Sequence, residues 1–245
     1  MMLKGIDVSK HNGVIAWRDV KYHIDFAMLR AGYGKNNIDT MFNRNATDCE
    51  RNGIPYGVYW FSYAYTPEMA RNEAKYCLEI ISEYNPTYPV CFDFEYDSAA
   101  YAKKNGVTVT KKLMCDMAIA FLSEIEKAGY YAMNYTNIDY LNKGFSSLTS
   151  KYDTWLAQWN VKTPSKQCGI WQYSDSGKVA GIEGRVDMNY SYHNYAEITA
   201  KMNKAKKNNK AIVQNKLGLT DGTMQYLSKY KYADDLFRKI ANGLK

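Results

Sequence analysis

The chain has 245 residues, of which 46% are hydrophobic and 23% charged. This length and composition are typical of one large globular α/β domain, alone or with a small appendage, and leave no room for two full-size domains. The formal net charge of +7 is unevenly distributed, since residues 1–197 carry 21 Lys+Arg and 22 Asp+Glu, whereas residues 198–245 carry 11 and 3. Because residues 1–197 are nearly neutral overall, this part of the chain lacks the positive charge that a nucleic-acid-binding surface needs.

The cysteines are odd in number and lack the C-x-x-C spacing of zinc or redox sites. They are Cys49, Cys77, Cys91, Cys115 and Cys168. We expect buried thiols in a reducing compartment rather than a disulfide framework.

The N-terminal residues pass directly into a strand, without the pattern of a signal peptide, and no apolar run has the length of a membrane span. These features predict synthesis in the cytoplasm.

Segments rich in β-branched and aromatic residues predict eight strands. They cover residues 3–8, 25–31, 56–63, 88–95, 130–136, 153–159, 169–174 and 185–190. Helices are predicted between the early strands, most clearly from Thr66 to Glu83 and from Thr110 to Gly129. The gaps after residues 159 and 174 are too short for a crossover helix. We therefore predict an irregular (βα) barrel of about eight strands that ends in strands without crossover helices.

The C-terminal part has a different composition from the body. Residues 198–210 are polar, basic and Asn-rich, which is typical of the end of a helix and a linker. Beyond it, Leu236, Phe237 and Ile240 fall on one helical face. We predict a body over residues 1–197, a basic linker over 198–210 and a small helical module over 211–245. A module of about 35 residues is marginal for independent folding, so it should pack on the body, a second copy or a ligand.

Two carboxylates stand two positions apart at the end of the fourth predicted strand, Asp93 and Glu95. Residues at i and i+2 of a strand point to the same side. Because Val90, Phe92 and Phe94 alternate with them, the acids should face into the barrel at its C-terminal end, where such barrels build active sites. Neighbouring carboxylates in a partly apolar setting raise one another's pKa, which keeps one protonated as a general acid.

A single D-x-E pattern more often caps a helix or pairs with a surface lysine. Two further acids favour a catalytic interpretation here. Asp7 ends the first predicted strand and Asp187 lies on the last, so closing the barrel should bring both beside Asp93 and Glu95. Glycosidic bond cleavage needs such a set of carboxylates in different protonation states.

Five segments carry a specific resemblance. They are GIDVSKHNG from Gly5, RAGYG from Arg30, GVYWFSYA from Gly57, VCFDFE from Val90 and WQYSDSGKVAGIEGRVDMNY from Trp171. In this order they resemble glycoside hydrolase family 25, the Chalaropsis-type lysozymes. The resemblance covers about residues 3–195 and does not extend into the C-terminal module.

The resemblance implies β-1,4-N-acetylmuramidase activity on peptidoglycan glycan strands, without a metal or cofactor. It assigns Glu95 as the general acid and gives Asp93 the role of positioning or stabilising the reacting N-acetyl group. Asp7 and Asp187 are supporting acids. Direct displacement and assistance by the substrate's own acetamido group both remain open.

Aromatic and amide side chains near the same strand ends are candidates for substrate binding. Tyr33, Tyr59, Phe61, Tyr135 and Trp159 are candidates to stack on sugar faces. Gln158 and Gln172 are candidates to hydrogen-bond an acetamido group. Trp60 stands where many relatives have His, which makes this part of the site differ from the family pattern.

The sequence bears on three other functions. A zinc amidase would need clustered ligands, but His11, His23 and His193 lack metal-motif spacing. A Cys/His peptidase would need a cysteine in a nucleophile setting, and Cys91 is better explained as barrel filling. A catalytically silent glycan-binding protein of the cell wall remains the alternative.

Localisation and partners follow from these features. The N-terminal sequence fits a phage or prophage endolysin, which waits in the cytoplasm and acts at the bacterial cell wall after release, and it also fits a bacterial enzyme exported by an unconventional route. The basic C-terminal module is a candidate for binding an anionic wall polymer or for self-association into a homo-oligomer. We expect neither nucleic acid nor membrane as a partner.

Overall fold

The computed structural model describes residues 2–230 and 232–244. The strands are β1 (Leu3–Val8), β2 (Phe26–Tyr33), β3 (Asn37–Ile38), β4 (Tyr56–Phe61), β5 (Val90–Asp93), β6 (Ala132–Asn137), β7 (Asp153–Ala157), β8 (Ile170–Gly177) and β9 (Val186–Ser191). The α-helices are α1 (Trp17–Val20), α2 (Phe42–Asn52), α3 (Pro67–Ile81), α4 (Tyr96–Lys104), α5 (Lys111–Lys127), α6 (Ile138–Lys143), α7 (Tyr195–Leu217), α8 (Asp221–Ser228) and α9 (Ala233–Gly243).

Eight of these strands form a closed barrel. The order is β1-β9-β8-β7-β6-β5-β4-β2, and pairing between β1 and β2 closes the ring, while the two-residue β3 extends β2 outside it. All neighbours in the ring are parallel except β9, which is antiparallel to both β8 and β1. The irregular barrel predicted from the sequence is therefore confirmed, including its final strands without crossover helices.

Successive side chains along each strand point alternately out of and into the barrel, which gives one apolar layer under the helices and another inside the barrel. Val90 and Phe92 of β5 point outward and pack with the surrounding helices, whereas Cys91 points into the barrel interior. Gly5 makes room for the interior side chains, because a Cβ at this position would lie 2.4 Å from the ring of Phe26. Cys91 therefore fills the barrel as predicted, and Asp93, two residues later, faces the interior at its upper end.

The two helices predicted most clearly form with the expected start signals. Thr66 caps α3 by accepting a hydrogen bond from the Met69 backbone, and Pro67 occupies the first helical position. Thr110 caps α5 in the same way by accepting from Leu113. Both helices pack outside the barrel, each against the other, and cover its parallel strands.

The first residue of α7, Tyr195, closes the N-terminal end of the barrel. Its ring is fully buried and packs against Tyr88 and Tyr131. The Tyr195 hydroxyl donates to Asp153 Oδ2 over 2.7 Å, and Tyr131 donates to the same oxygen. Gly169 allows this approach, because a Cβ there would collide with the hydroxyl of Tyr195. The C-terminal helices thus leave the barrel at the end opposite Asp93.

The structure corrects the interpretation of residues 198–210 as a linker. They lie within the continuous helix α7, which Asn194 caps by accepting from the Glu197 backbone and which ends at Gly218 with φ +60°. Lys and Ala are strong helix formers, and α7 contains neither Gly nor Pro, so the Asn-rich composition did not prevent helix formation. The division into domains stays a prediction.

Helices α7, α8 and α9 share a small apolar cluster around Val213 and Phe237, both fully buried. Polar contacts attach this unit to the body. Lys206 donates to the Gly129 carbonyl, and Tyr232 donates to the carboxylate of Glu124 on α5. The C-terminal helices therefore pack on the body, which is one of the three partners expected for a segment too short to fold alone.

All five cysteines are free thiols, and four of them are buried. Within the described residues, none of the helices combines the length and apolarity needed to cross a membrane.

Candidate active site

The end of β5 places Asp93 and Glu95 at the barrel mouth. The strand ends at Asp93, two residues earlier than predicted, and Glu95 instead lies at the N-cap position of α4. The Glu95 backbone N–H donates to Ser98 Oγ over 3.0 Å. The start of a helix, rather than strand pleating, therefore holds Glu95 in place.

Asp93 is buried, with 3% of its surface exposed. Burial, reinforced by the charges of Glu95 and Asp7, raises the pKa of Asp93 well above its ordinary value, while the Arg30 guanidinium opposes this rise. Asp93 Oδ1 has no hydrogen-bonding partner among the described residues. A buried carboxylate oxygen without a partner is unusual, so Asp93 presents an acceptor that a substrate donor can satisfy.

Asp7 and Asp187 lie directly opposite each other on β1 and β9. Asp7 Oδ2 accepts hydrogen bonds from Asn189 Nδ2 at 2.7 Å and from Gln172 Nε2 at 3.0 Å. Burial raises the pKa of Asp187 to about 8, with further contributions from the charge and the hydrogen bond of Asp7. The antiparallel return of β9 thus brings together two acids that the sequence predicted to converge.

Glu95 completes the set of four acids. Burial raises its pKa to about 7, and the carboxyls of Asp97 and Asp187 add to this rise when they are ionised. A carboxylic acid with this pKa is largely protonated at slightly acidic pH and can transfer a proton near neutrality. All four carboxyls at the mouth therefore have raised pKa values, and that of Glu95 lies near neutrality.

Aromatic rings form the floor below the acids. Tyr59 and Tyr135 flank Trp155 in edge-to-face contacts, with ring centroids 5.7 and 4.7 Å apart. Burial raises the pKa of both hydroxyls well above the ordinary value, and the charges of Asp7, Asp93 and Asp187 add to this rise. These hydroxyls therefore remain protonated beside the acids.

The two glutamines predicted to bind an acetamido group already have protein partners. Gln158 Oε1 accepts from the backbone and the hydroxyl of Ser165, which fastens the loop after β7. Gln172 is buried and connects Asp7 with Tyr135 and Trp159. Trp159 itself stays 43% exposed. Among the amide and indole candidates, Trp159 therefore offers the most accessible surface.

Comparison with known proteins decides the family. The model of the glycosyl hydrolases family 25 matches residues 6–182, a span that includes Asp7, Asp93 and Glu95. The chain belongs to glycoside hydrolase family 25. This family 25 enzyme is 28% identical over 204 residues to Lysozyme M1 of Streptomyces globisporus, covering 76% of the chain and 67% of the relative.

Solved structures share the fold of this family 25 enzyme. The bacterial lysozyme from Streptomyces coelicolor matches 82% of the chain and 97% of its own length, with a TM-score of 0.67 and 26% identity. The modular autolysin LytC from Streptococcus pneumoniae, solved in complex with a synthetic peptidoglycan ligand, gives a TM-score of 0.69 and 28% identity. That match covers 78% of the chain and 47% of LytC.

Sequence reasoning missed an ion pair beside the acids of the family 25 enzyme. Arg30 Nε donates to Asp39 Oδ2 over 2.7 Å, and Asp39 is 1% exposed. Arg30 and Lys10 also lie over the ring of Tyr33, with 5.6 and 5.3 Å to the centroid. An arginine inside an otherwise apolar strand, FAMLRAGY, was the available signal.

Phe61 and Trp60 are neighbours on β4, but only Phe61 lies at the barrel mouth. Phe61 ends β4 next to Asp93 in register, and its ring packs 5.2 Å from that of Tyr63. Trp60 is fully buried on the outer side of β4, so it packs in the core rather than lining the mouth.

In the described part of the chain, no group of three or more His, Cys, Asp or Glu side chains is arranged as a metal site.

Proposed function

We propose that this family 25 enzyme is a peptidoglycan β-1,4-N-acetylmuramidase that acts at the bacterial cell wall. The observation that carries the proposal is the convergence of four acids at the barrel mouth of a family 25 chain, with Asp7 opposite Asp187 and Glu95 two residues after Asp93. The relatives named as lysozymes, and LytC with its peptidoglycan ligand, support this substrate class. The proposed cut separates N-acetylmuramic acid from N-acetylglucosamine.

In the proposed reaction, Glu95 donates its proton to the glycosidic oxygen as the bond from that oxygen to the muramic acid C1 breaks. Asp93 acts as an anion, whose unpartnered Oδ1 accepts the N–H of the acetamido group and whose charge stabilises the positive charge that develops on the sugar ring or on its acetamido group. Burial keeps the pKa of Asp93 raised in the free enzyme, and Arg30 opposes this rise and so favours the ionised form that the reaction needs. Both displacement by water and attack by the acetamido oxygen are compatible with these roles.

Substrate binding is proposed along the same rim. Tyr33, Tyr59, Phe61, Tyr135 and Trp159 are the proposed stacking surfaces for sugar rings. Because Gln158 Oε1 already accepts two hydrogen bonds from Ser165, we propose that Gln158 binds the glycan through its NH₂ group, as a donor. Gln172 is proposed to organise Asp7 rather than to bind the acetamido group, since both ends of its amide have protein partners.

The product of cleavage tests the proposed activity. Purified bacterial walls treated with the enzyme should lose turbidity, and borohydride reduction should label N-acetylmuramic acid at the new chain ends. A silent glycan-binding protein would sediment with walls without clearing them. Label on N-acetylglucosamine would identify a glucosaminidase and contradict the proposed cut.

The C-terminal helices are proposed to bind an anionic wall polymer. Lys201, Lys204 and Lys207 on α7 are exposed and have no ion pair in the described part of the chain. Lys206 and Lys210, by contrast, pair with Asp234 at 3.4 Å and fasten α7 to α9. The exposed lysines therefore provide unpaired positive charge at the surface, on a helix that leaves the barrel opposite the acids.

Substituting Lys201, Lys204 and Lys207 with Gln should weaken binding to intact walls at low ionic strength, while cleavage of soluble glycan fragments stays unchanged. The effect should disappear as salt rises, because exposed charges are screened beyond a Debye length of about 8 Å at 0.15 M. Cosedimentation with walls at several salt concentrations measures it.

The matched control removes three exposed lysines of the body that likewise have no ion pair in the described part of the chain, Lys75, Lys104 and Lys111. Equal loss in both triple variants would mean that total charge, not α7, governs binding. Sedimentation velocity on the same proteins tests self-association, since a wild-type dimer that the α7 variant loses would assign these helices to oligomerisation instead.

A further inference from the structure

The inner faces of β1, β9 and β8 bring four polar side chains into contact. Asp7 lies opposite Asp187, and Gln172 lies opposite Asn189, in the two antiparallel registers of β9. Asn189 is fully buried and Gln172 is 3% exposed. Asp7 Oδ2 receives a hydrogen bond from the amide of each, at 2.7 Å from Asn189 and 3.0 Å from Gln172.

Two indoles fix the orientation of these amides. A primary amide can present either its oxygen or its NH₂ group to a neighbour, but an indole N–H can only donate. Trp155 Nε1 lies 2.7 Å from Asn189 Oδ1, and Trp159 Nε1 lies 3.3 Å from Gln172 Oε1. Each amide must therefore turn its oxygen toward the indole, which leaves the NH₂ group facing Asp7.

The hydroxyl of Tyr135 does not determine this choice. It lies 3.2 Å from Gln172 Oε1 and is a donor in this arrangement, but a hydroxyl can also accept. Trp159 is thus the neighbour that decides which way the Gln172 amide points.

We propose that Asn189 and Gln172, each oriented by a tryptophan, are positioning residues that hold Asp7 as an anion, so that the single proton of the Asp7 and Asp187 pair resides on Asp187. An oxygen that accepts two N–H groups is stabilised in its charged form. Two carboxyls in contact cannot both ionise without cost, so the proton goes to the partner that lacks these donors.

The surrounding charges agree with this division. Burial raises the pKa of Asp7 to about 6, although the bonds from Asn189, Gln172 and Asp187 oppose the rise. The pKa of Asp187 rises further, to about 8. Between these values the pair holds one proton. The other charged or titratable groups that act on the pair, or respond to its charge, are Glu95, Asp93, Asp175, Tyr59, Tyr135 and Cys91.

This assignment deepens the proposed glycosidase site, and it rests on the proposed function only for its catalytic meaning. A neutral Asp187 leaves one negative charge fewer beside Glu95 below about pH 8. Trp159 lies at the rim, 43% exposed, yet its N–H reaches the buried pair through Gln172. A rim residue that stacks on sugar would therefore also maintain the protonation state of the buried pair.

Carbon-13 NMR of enzyme labelled at the aspartate carboxyl carbons tests the proposal without substrate. Asp7→Asn and Asp187→Asn variants assign the two signals. In the wild type, Asp7 should titrate first, near pH 6, and Asp187 near pH 8. Gln172→Met removes the N–H while keeping the length of the side chain, so the Asp7 midpoint should rise by about 1 to 2 pH units.

Trp159→Phe provides a second variant at an exposed position, where folding is least at risk. It keeps a ring for stacking but frees the Gln172 amide to turn, so the Asp7 midpoint should rise in the same direction by a smaller amount. Tyr135→Phe is the matched control, because it removes a hydrogen bond to the same oxygen and leaves the indole in place. Its Asp7 midpoint should stay within a few tenths of a pH unit of the wild type.

The proposal is overturned if Asp187 titrates below Asp7, or if neither Gln172→Met nor Trp159→Phe moves the Asp7 midpoint. Because the titration needs no glycan, a protein that fails the wall-lysis test can still show the predicted order. The two failures are therefore distinguishable.

Discussion

Replacing Glu95 with Gln is expected to abolish wall lysis, with a rate loss of about 10² to 10⁴-fold. The amide keeps the shape of the side chain but has no proton to transfer to the glycosidic oxygen. The Glu95 backbone N–H bond to Ser98 does not depend on the carboxyl, so the start of α4 should remain folded. Initial rates of turbidity loss and circular dichroism spectra measure both outcomes.

The pH dependence of the wild-type rate gives the same assignment a second readout. Because Glu95 has a pKa of about 7 and must be protonated to act, activity should fall as pH rises through about 7. Glu79→Gln, an exposed change on α3, is the matched control and should keep both the rate and the profile. Substantial lysis by a folded Glu95→Gln enzyme would reject Glu95 as the acid.

Replacing Asp93 with Asn should remove most of the activity, about 10² to 10³-fold, and at the same time stabilise the fold at alkaline pH. The rate falls because a neutral amide cannot stabilise the positive charge that develops on the substrate. The sign of the stability change follows from the raised pKa of Asp93. In the unfolded chain Asp93 ionises near pH 3.9, whereas in the folded chain its ionisation is opposed by burial.

The stability that this raised pKa provides is fully present below about pH 4 and is lost as pH rises through the folded-state pKa. An asparagine does not titrate, so the variant should have the higher free energy of unfolding at pH 8 and lose that advantage in acid. Urea unfolding at both pH values measures this. Asp116→Asn, a surface residue paired with Lys112, should show neither effect. If the Asp93→Asn enzyme lysed walls nearly as fast as the wild type, Asp7 or Asp187 would have to stabilise the positive charge on the substrate instead.

Much of the fold follows from local patterns. The period of two along β5 predicted which side chains enter the barrel, and the start signals at Thr66 and Thr110 predicted the two covering helices. The end of β5 was harder to predict, because the strand and the N-cap of α4 both suit the sequence around Glu95. The sequence of α7 was harder to interpret, because its Asn-rich composition favours a linker whereas its Lys and Ala content favours a helix.

The candidate site was predictable in its acids and less so in what supports them. Asp7 and Asp187 are placed side by side by barrel closure, which the order of strands already implied. Asn189 and Arg30 were missed because their roles depend on cross-strand neighbours far away in sequence. The sequence places Gln172 among the candidates for substrate binding, since nothing local reveals that an indole fixes the orientation of its amide.

The pairing of β1 with β9 has a consequence for how the enzyme acquires activity as it is made. Asn189 and Asp7 are 182 positions apart, and their contact exists only after the last strand has joined the first. Contacts between such distant segments form late, because a long loop must be closed before they give any stabilisation. When only strands β1 to β8 have emerged from the ribosome, the chain already contains Asp93 and Glu95 but lacks Asp187, which lies on β9. Synthesis of almost the entire barrel must precede assembly of the four acids, so incomplete chains should be inactive whatever their concentration.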